Sequence, residues 1–160
     1  MKEKVYNYLD KLNIKYNNVN HPVASTTELA DKYIEGIPGV RTKTMFIYNK
    51  NKSNYYLIVM DESKRVDFKY LEEILKEKKL KFSSDEVLKC KLGLEPGLVS
   101  IFGLLNNKDD IIVLFDESVN QGLPLTFHPN NNDATVFISV DDTIKFLNSL
   151  NVKYININMN

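Results

Sequence analysis

Two histidines, one cysteine and a few unusually placed lysines are the side chains of this chain best suited to chemistry. His128 lies in Leu125-Thr126-Phe127-His128-Pro129-Asn130-Asn131-Asn132-Asp133-Ala134-Thr135-Val136-Phe137-Ile138, where a turn of Pro, Asn and Asp separates two β-rich runs. Strand, polar turn and strand hold polar side chains at a sheet edge, so His128 and Asn130 read either as pocket residues or as the surface of a hairpin. Lys43 follows Gly39-Val40-Arg41-Thr42 and enters an otherwise apolar and aromatic strand. A lysine at a strand entry is usually solvated, and a site role is the alternative. The loop Gly93-Leu94-Glu95-Pro96-Gly97, followed by Ser100-Ile101-Phe102-Gly103, combines backbone freedom with bare N–H groups that could meet a carbonyl or phosphate. Most such loops only turn. The run Lys76-Glu77-Lys78-Lys79-Leu80-Lys81 is a local basic patch or a solvated face.

Several chemistries are excluded by spacing. His21, His128 and Cys90 are isolated, without the clustering a tetrahedral metal site requires, so no metal is expected. Cys90 has no recognisable activating partner. Neither a nucleophile elbow, a phosphate-binding glycine loop nor a dinucleotide fingerprint is present.

The elements that must position these residues follow from periodicity. Val5, Tyr8, Leu9 and Leu12 predict a helix over 3–12, with an extended segment from Ile14 to Asn20. Ser25-Thr26-Thr27-Glu28 reads as a capping box opening a helix through about Ile34. Thr44–Tyr48 and Tyr55–Met60 form a predicted hairpin, and Val66-Asp67 leads into a helix with Leu71 and Leu75 on one face. A short strand at 79–82 and a helix through about Lys91, opened by Ser83-Ser84-Asp85-Glu86, come next. Val99–Leu105 and Ile111–Phe115 read as strands. Asp141 or Asp142 caps a last helix with Ile144, Phe146, Leu147 and Leu150 inward, and 152–157 reads as an edge strand or a fraying end. The expected class is α+β, with a curved, mixed, barrel-like sheet flanked by helices, in a single domain over residues 1–160.

The composition, 43% hydrophobic and 26% charged, is that of an ordinary globular protein. Lys+Arg and Asp+Glu both number 21, so a polyanion site would have to be a local patch. No apolar run is long enough for a membrane span, and one cysteine suits a reducing cytoplasm.

Taken in order, these segments resemble the YbaK/prolyl-tRNA editing domain family, in its free-standing, ProX/PrdX-type deacylase branch. The residues that carry the likeness are His21-Pro22, Pro38-Gly39-Val40-Arg41-Thr42-Lys43-Thr44-Met45-Phe46, Tyr55–Val59, Lys64-Arg65-Val66-Asp67, Leu80–Ser83, Gly93–Asn106 and Phe127–Val136. The resemblance implies a pocket for the aminoacyl end of tRNA(Pro), hydrolysis of mischarged alanine without metal or cofactor, and a link to prolyl-tRNA synthetase. It implies Lys43 and His128 as catalytic residues. Gly93, Pro96, Gly97, Ser100, Phe102, Gly103, Asn130, Thr44 and Phe46 are implied substrate contacts. Thr44 stands where relatives often carry Asn, which leaves the detail of the pocket open. The patch of Lys76, Lys78, Lys79 and Lys81 is the candidate tRNA contact. An aminoacyl ester is already activated, so hydrolysis requires a fixed ester, a placed water and oxyanion stabilisation rather than a covalent nucleophile. Deacylation of Cys-tRNA(Pro) and a non-catalytic tRNA- or amino-acid-binding module are the rival readings.

Overall fold

The computed structural model describes residues 2–159. Helix α1 (Lys2–Lys11) buries Val5 and Leu9 and leads into β1 (Tyr16–Asn20). Helix α2 (Thr27–Tyr33) follows, then the antiparallel pair β2 (Thr42–Tyr48) and β3 (Tyr55–Asp61). Asp67 caps α3 (Phe68–Leu75) by accepting from the Tyr70 N–H at 3.0 Å. Short β4 (Lys81–Phe82) precedes α4 (Asp85–Leu92), whose N-cap is Ser84 and whose C-cap is left-handed Gly93 at φ 65°. The chain then forms β5 (Ile111–Asp116), β6 (Leu125–Phe127), β7 (Ala134–Ile138), α5 (Val140–Ser149) and β8 (Tyr154–Ile157).

The α+β class holds, and the strands divide between two sheets. A mixed five-stranded sheet has the order β4-β2-β3-β5-β8, and an antiparallel three-stranded sheet the order β1-β7-β6. The arrangement is not a closed barrel. Central β3 explains its own unbroken apolar run. Leu57 and Val59 enter the main core with Val5, Leu9, Phe102, Val136 and Phe146, while Ile58 and Met60 pack on the opposite face with Leu71 of α3. A strand covered on both faces has no polar side to display.

Three local expectations require correction. Residues Ile101–Leu105 form a 3₁₀ turn rather than a strand, opened by Ser100 Oγ accepting from the Phe102 N–H at 3.2 Å. A short apolar run fits either state, and the serine cap decides it. Consequently β5 has no hairpin partner before it and runs parallel to β3 and β8. Ser139, not Asp141 or Asp142, caps α5, and Thr26 caps α2 by accepting from the Leu29 N–H at 3.1 Å.

Among the described residues the two sheets are hydrogen-bonded to each other at one place. The Val40 N–H donates to the Pro124 carbonyl at 2.7 Å, and the Thr126 N–H donates to the Val40 carbonyl at 3.2 Å. The Thr42 N–H reaches Thr126 Oγ1 at 3.2 Å, and the Thr42 hydroxyl donates to the Thr126 carbonyl. Beyond these threonines β2 and β6 separate. On its outer edge β2 is covered by β4 only at Ile47 and Tyr48, which leaves the segment Lys43–Met45 unpaired there.

Phe102 is fully buried and packs edge-on against Phe127 and Phe146, at centroid distances of 5.8 and 5.2 Å. Phe102→Ala is therefore expected to lower the unfolding free energy by about 3–5 kcal/mol in urea denaturation.

Candidate functional site

The separation of β2 from β6 opens a cavity of about 300 Å³. Its walls are Thr42, Lys43, Thr44 and Met45 of β2, Gly97 and Val99 of the glycine loop, Thr126, Phe127 and His128 of β6 and its exit, and Thr135 of β7. Helix α2 closes one side with Thr27, Ala30 and Asp31, next to Ile34. Residues far apart in the chain, Lys43, Gly97 and His128, thus border the same space.

The β2 wall is rich in donors. Thr42 sends its N–H, and Phe46 its carbonyl, to the outer strand edge, where they meet Thr126 and Ser83. Backbone alternation places the Thr44 N–H on the same edge, facing the gap. The Lys43 ammonium makes no ion pair or hydrogen bond among the described residues. On the opposite wall, burial lowers the His128 pKa below the usual imidazole range; His21 adds to this, while the Ala134 backbone and Asp31 oppose it. Such a histidine is neutral at pH 7 and can accept a proton.

One of the buried polar atoms without a hydrogen-bond partner belongs to a residue of the cavity wall, His128. Among the described residues these atoms are His128 Nδ1, Asn130 Oδ1, Asp133 Oδ1 and Glu62 Oε2. A buried polar atom left without a partner is costly. Glu62 lies against cavity-lining Asp31. Burial, followed by Asp31 and Asp61, pushes its carboxyl well above the usual carboxylate range, with Arg41 opposing.

Several expected contacts lie elsewhere. Phe46, Ser100, Phe102 and Gly103 are in the core rather than on the cavity wall. A Cβ on Gly103 would come within 2.7 Å of Leu94 Cδ1, so this glycine serves packing. Gly93 and Pro96 are exposed on the loop away from the cavity. Asn130, at φ 64°, donates to the Phe102 carbonyl at 3.2 Å and so ties the β6–β7 turn to the 3₁₀ turn. Lys76, Lys78 and Lys79 border a separate hollow with Asn49, Lys50, Asn51 and Glu77, and Lys81 lies over the Tyr48 ring at 5.5 Å. This basic surface is at the far end of β2 from the cavity. The sequence reading passed over Asp31, Thr126 and Thr135, which sit in an ordinary capped helix and in β-rich runs. Among the described residues no group of three or more His, Cys, Asp or Glu could hold a metal ion, and no helix is long and apolar enough to cross a membrane.

The family model for the aminoacyl-tRNA editing domain matches residues 21–146. The chain belongs to this family. The chain is 33% identical over 148 residues to the prolyl-tRNA editing protein ProX of Acetoanaerobium sticklandii, covering 91% of this chain and 90% of the relative. It is 26% identical over 143 residues to the mouse prolyl-tRNA synthetase associated domain-containing protein 1, covering 87% and 85%. In fold it is similar to a crystal structure described as a candidate trans-editing enzyme for prolyl tRNA synthetase, with a TM-score of 0.74 at 14% identity over 99% and 97% of the two chains.

The Glu62 carboxyl gives this editing domain a pH signature. A folded-state pKa above the unfolded value contributes stability below the unfolded pKa that is lost as pH rises through the folded one. Wild type is expected to lose more thermal stability between pH 5 and 9 than Glu62→Gln, as read by the melting temperature at both values.

Proposed function

We propose that this chain is a trans-acting deacylase that hydrolyses the ester of mischarged aminoacyl-tRNA(Pro), with alanine as the preferred acyl group. The observation that carries this reading is the meeting of Lys43, Gly97 and His128 around one cavity of about 300 Å³, in a chain of the editing family. The prolyl-tRNA editing named for its 33% identical relative supports the choice of tRNA.

In this mechanism the ester carbonyl lies against the β2 edge. The Lys43 ammonium and the Thr44 N–H stabilise the oxygen as it becomes an oxyanion. The loop at Gly97 confines the acyl group, and neutral His128 accepts or relays a proton from the attacking water. No covalent enzyme intermediate is required, and the roles are filled by side chains and backbone without a metal. A synthetase site built for proline cannot strongly exclude alanine, because a missing methylene is worth only about 1–3 kcal/mol. A second, smaller site corrects the error. The acceptor end of tRNA(Pro) is the partner, delivered in the cytoplasm from prolyl-tRNA synthetase. In the alternative Cys-tRNA(Pro) specificity, the substrate's own thiol attacks the ester.

Deacylation of Ala-, Cys- and Pro-tRNA(Pro) tests this reading. Rapid loss of Ala with retention of Pro is expected; no loss of Ala, or rapid loss of Pro, contradicts it. Lys43→Ala is expected to lower Ala-tRNA(Pro) turnover about a hundredfold or more while leaving the melting temperature within a few degrees.

The lysines bordering the second hollow are the proposed phosphate contacts. Replacing Lys76, Lys78 and Lys79 with Gln is expected to weaken tRNA binding and to reduce the slope of log K against log salt by roughly 2. Filter binding across a salt series measures both effects.

A further inference from the structure

His21 forms a hydrogen-bonded pair with Thr135, which lines the same cavity as Lys43. The His21 N–H of the backbone donates to the Asp133 carbonyl at 2.9 Å, which pins the segment to the β6–β7 turn. The His21 ring stacks on Tyr33, with centroids 5.4 Å apart and an interplanar angle of 20°. Its Nδ1 lies 2.9 Å from the Pro22 carbonyl oxygen and its Nε2 lies 3.1 Å from Thr135 Oγ1. A carbonyl can only accept, so the hydrogen of the neutral ring is assigned to Nδ1. Nε2 is then bare and receives the Thr135 hydroxyl proton. With that proton committed, Thr135 Oγ1 can offer only lone pairs to the cavity it lines.

The surroundings give this acceptor a purpose. The β6–β7 register pairs Leu125 with Ile138, Thr126 with Phe137 and Phe127 with Val136, so its continuation sets His128 opposite Thr135. Asp31 lines the cavity from α2. Donors on β2, the Lys43 ammonium and the Thr44 N–H, therefore face acceptors on β7 and α2. An aminoacyl ester has the complementary polarity, with a carbonyl oxygen that accepts and, on the adjacent carbon, an ammonium group that donates.

We propose that Thr135 and Asp31 form the subsite for the α-ammonium group of the aminoacyl ester, with His21 as the positioning residue that holds the Thr135 hydroxyl as an acceptor. The proposal rests on the deacylase reading and deepens it. It makes a free amine part of substrate recognition, so aminoacyl-tRNA is cleaved while N-blocked esters, such as peptidyl-tRNA, are spared.

The test compares alanyl-tRNA(Pro) with N-acetyl-alanyl-tRNA(Pro), on wild type, Thr135→Val, His21→Ala and the double variant. Wild type is expected to favour the free amine at least about tenfold in kcat/KM. Each single variant is expected to lose about ten- to hundredfold on the free amine, the scale of a hydrogen bond to a charged group, and little on the acetylated ester. The double variant is expected to be no worse than Thr135→Val, because both changes remove the same oriented oxygen. Equal cleavage of both esters by wild type, single variants that retain the preference, or losses that multiply in the double variant would each overturn the subsite. Should Thr135→Val not fold, the half-buried His21→Ala carries the same readout together with Thr135→Ser, which keeps the oxygen and is expected to keep the preference; loss of the preference in Thr135→Ser counts against the subsite. Wild type inactive on both esters and on Cys-tRNA(Pro) would instead overturn the deacylase reading itself.

Discussion

Everything in the site depends on a short pairing between two sheets that then separate. Val40 and Leu125 pair as in a parallel sheet, and the Thr42 and Thr126 side chains substitute for the backbone bonds that would come next. A threonine hydroxyl is longer than the backbone group whose place it takes, so the strands are already parting where the threonines meet. The opening is lined by a strand edge on one side and a strand exit on the other. Both walls are held by packed sheets, and the β2 wall carries at Thr44 a backbone N–H that a continuous sheet would have consumed.

The same geometry explains the polarity of the cavity. An exposed strand edge offers N–H and carbonyl groups alternately, and β2 adds the Lys43 ammonium at this point. The opposite wall comes from the small sheet and α2, where His128, Thr135 and Asp31 line the space and His21 stands behind Thr135. Burial keeps His128 neutral, as it makes charging the ring costly with His21 close by. A cavity with donors on one side and acceptors on the other suits a ligand with a fixed internal dipole better than a symmetrical ion.

Much of the fold was legible because its local signals were strong. The β2–β3 hairpin, α1 and α4 follow from apolar spacing and serine caps, and the edge strand β8 from a terminal β-rich run. What local pattern could not supply was partnership. Ile111–Asp116 reads as a strand on any scale, yet its parallel pairing with β3 and β8 depends on residues about fifty positions away and forty ahead. The 3₁₀ turn at Ile101–Leu105 was misread because a serine followed by apolar residues suits a short strand equally well.

Of the residues expected at the site, the structure brings some to the cavity and buries others, for one physical reason. Residues adjacent in sequence to a pocket loop need not face the pocket, and the loop's own anchor has to be buried. Ser100, Phe102 and Gly103 are that anchor: they pack under the loop so that Gly97 and Val99 can stand over the cavity. Asp31 and Thr135 were invisible for the converse reason. Each sits in a regular element whose pattern is fully accounted for by capping or strand propensity, so nothing local marks it. Only the tertiary fold brings them to one cavity, and Arg41 ties the end of α2 to the small sheet: its guanidinium donates to the Ile34, Ile37 and Gly39 carbonyls and lies over Phe137 at 5.8 Å. An arginine that reads as one more charge beside Lys43 is thus the brace that closes the acceptor wall.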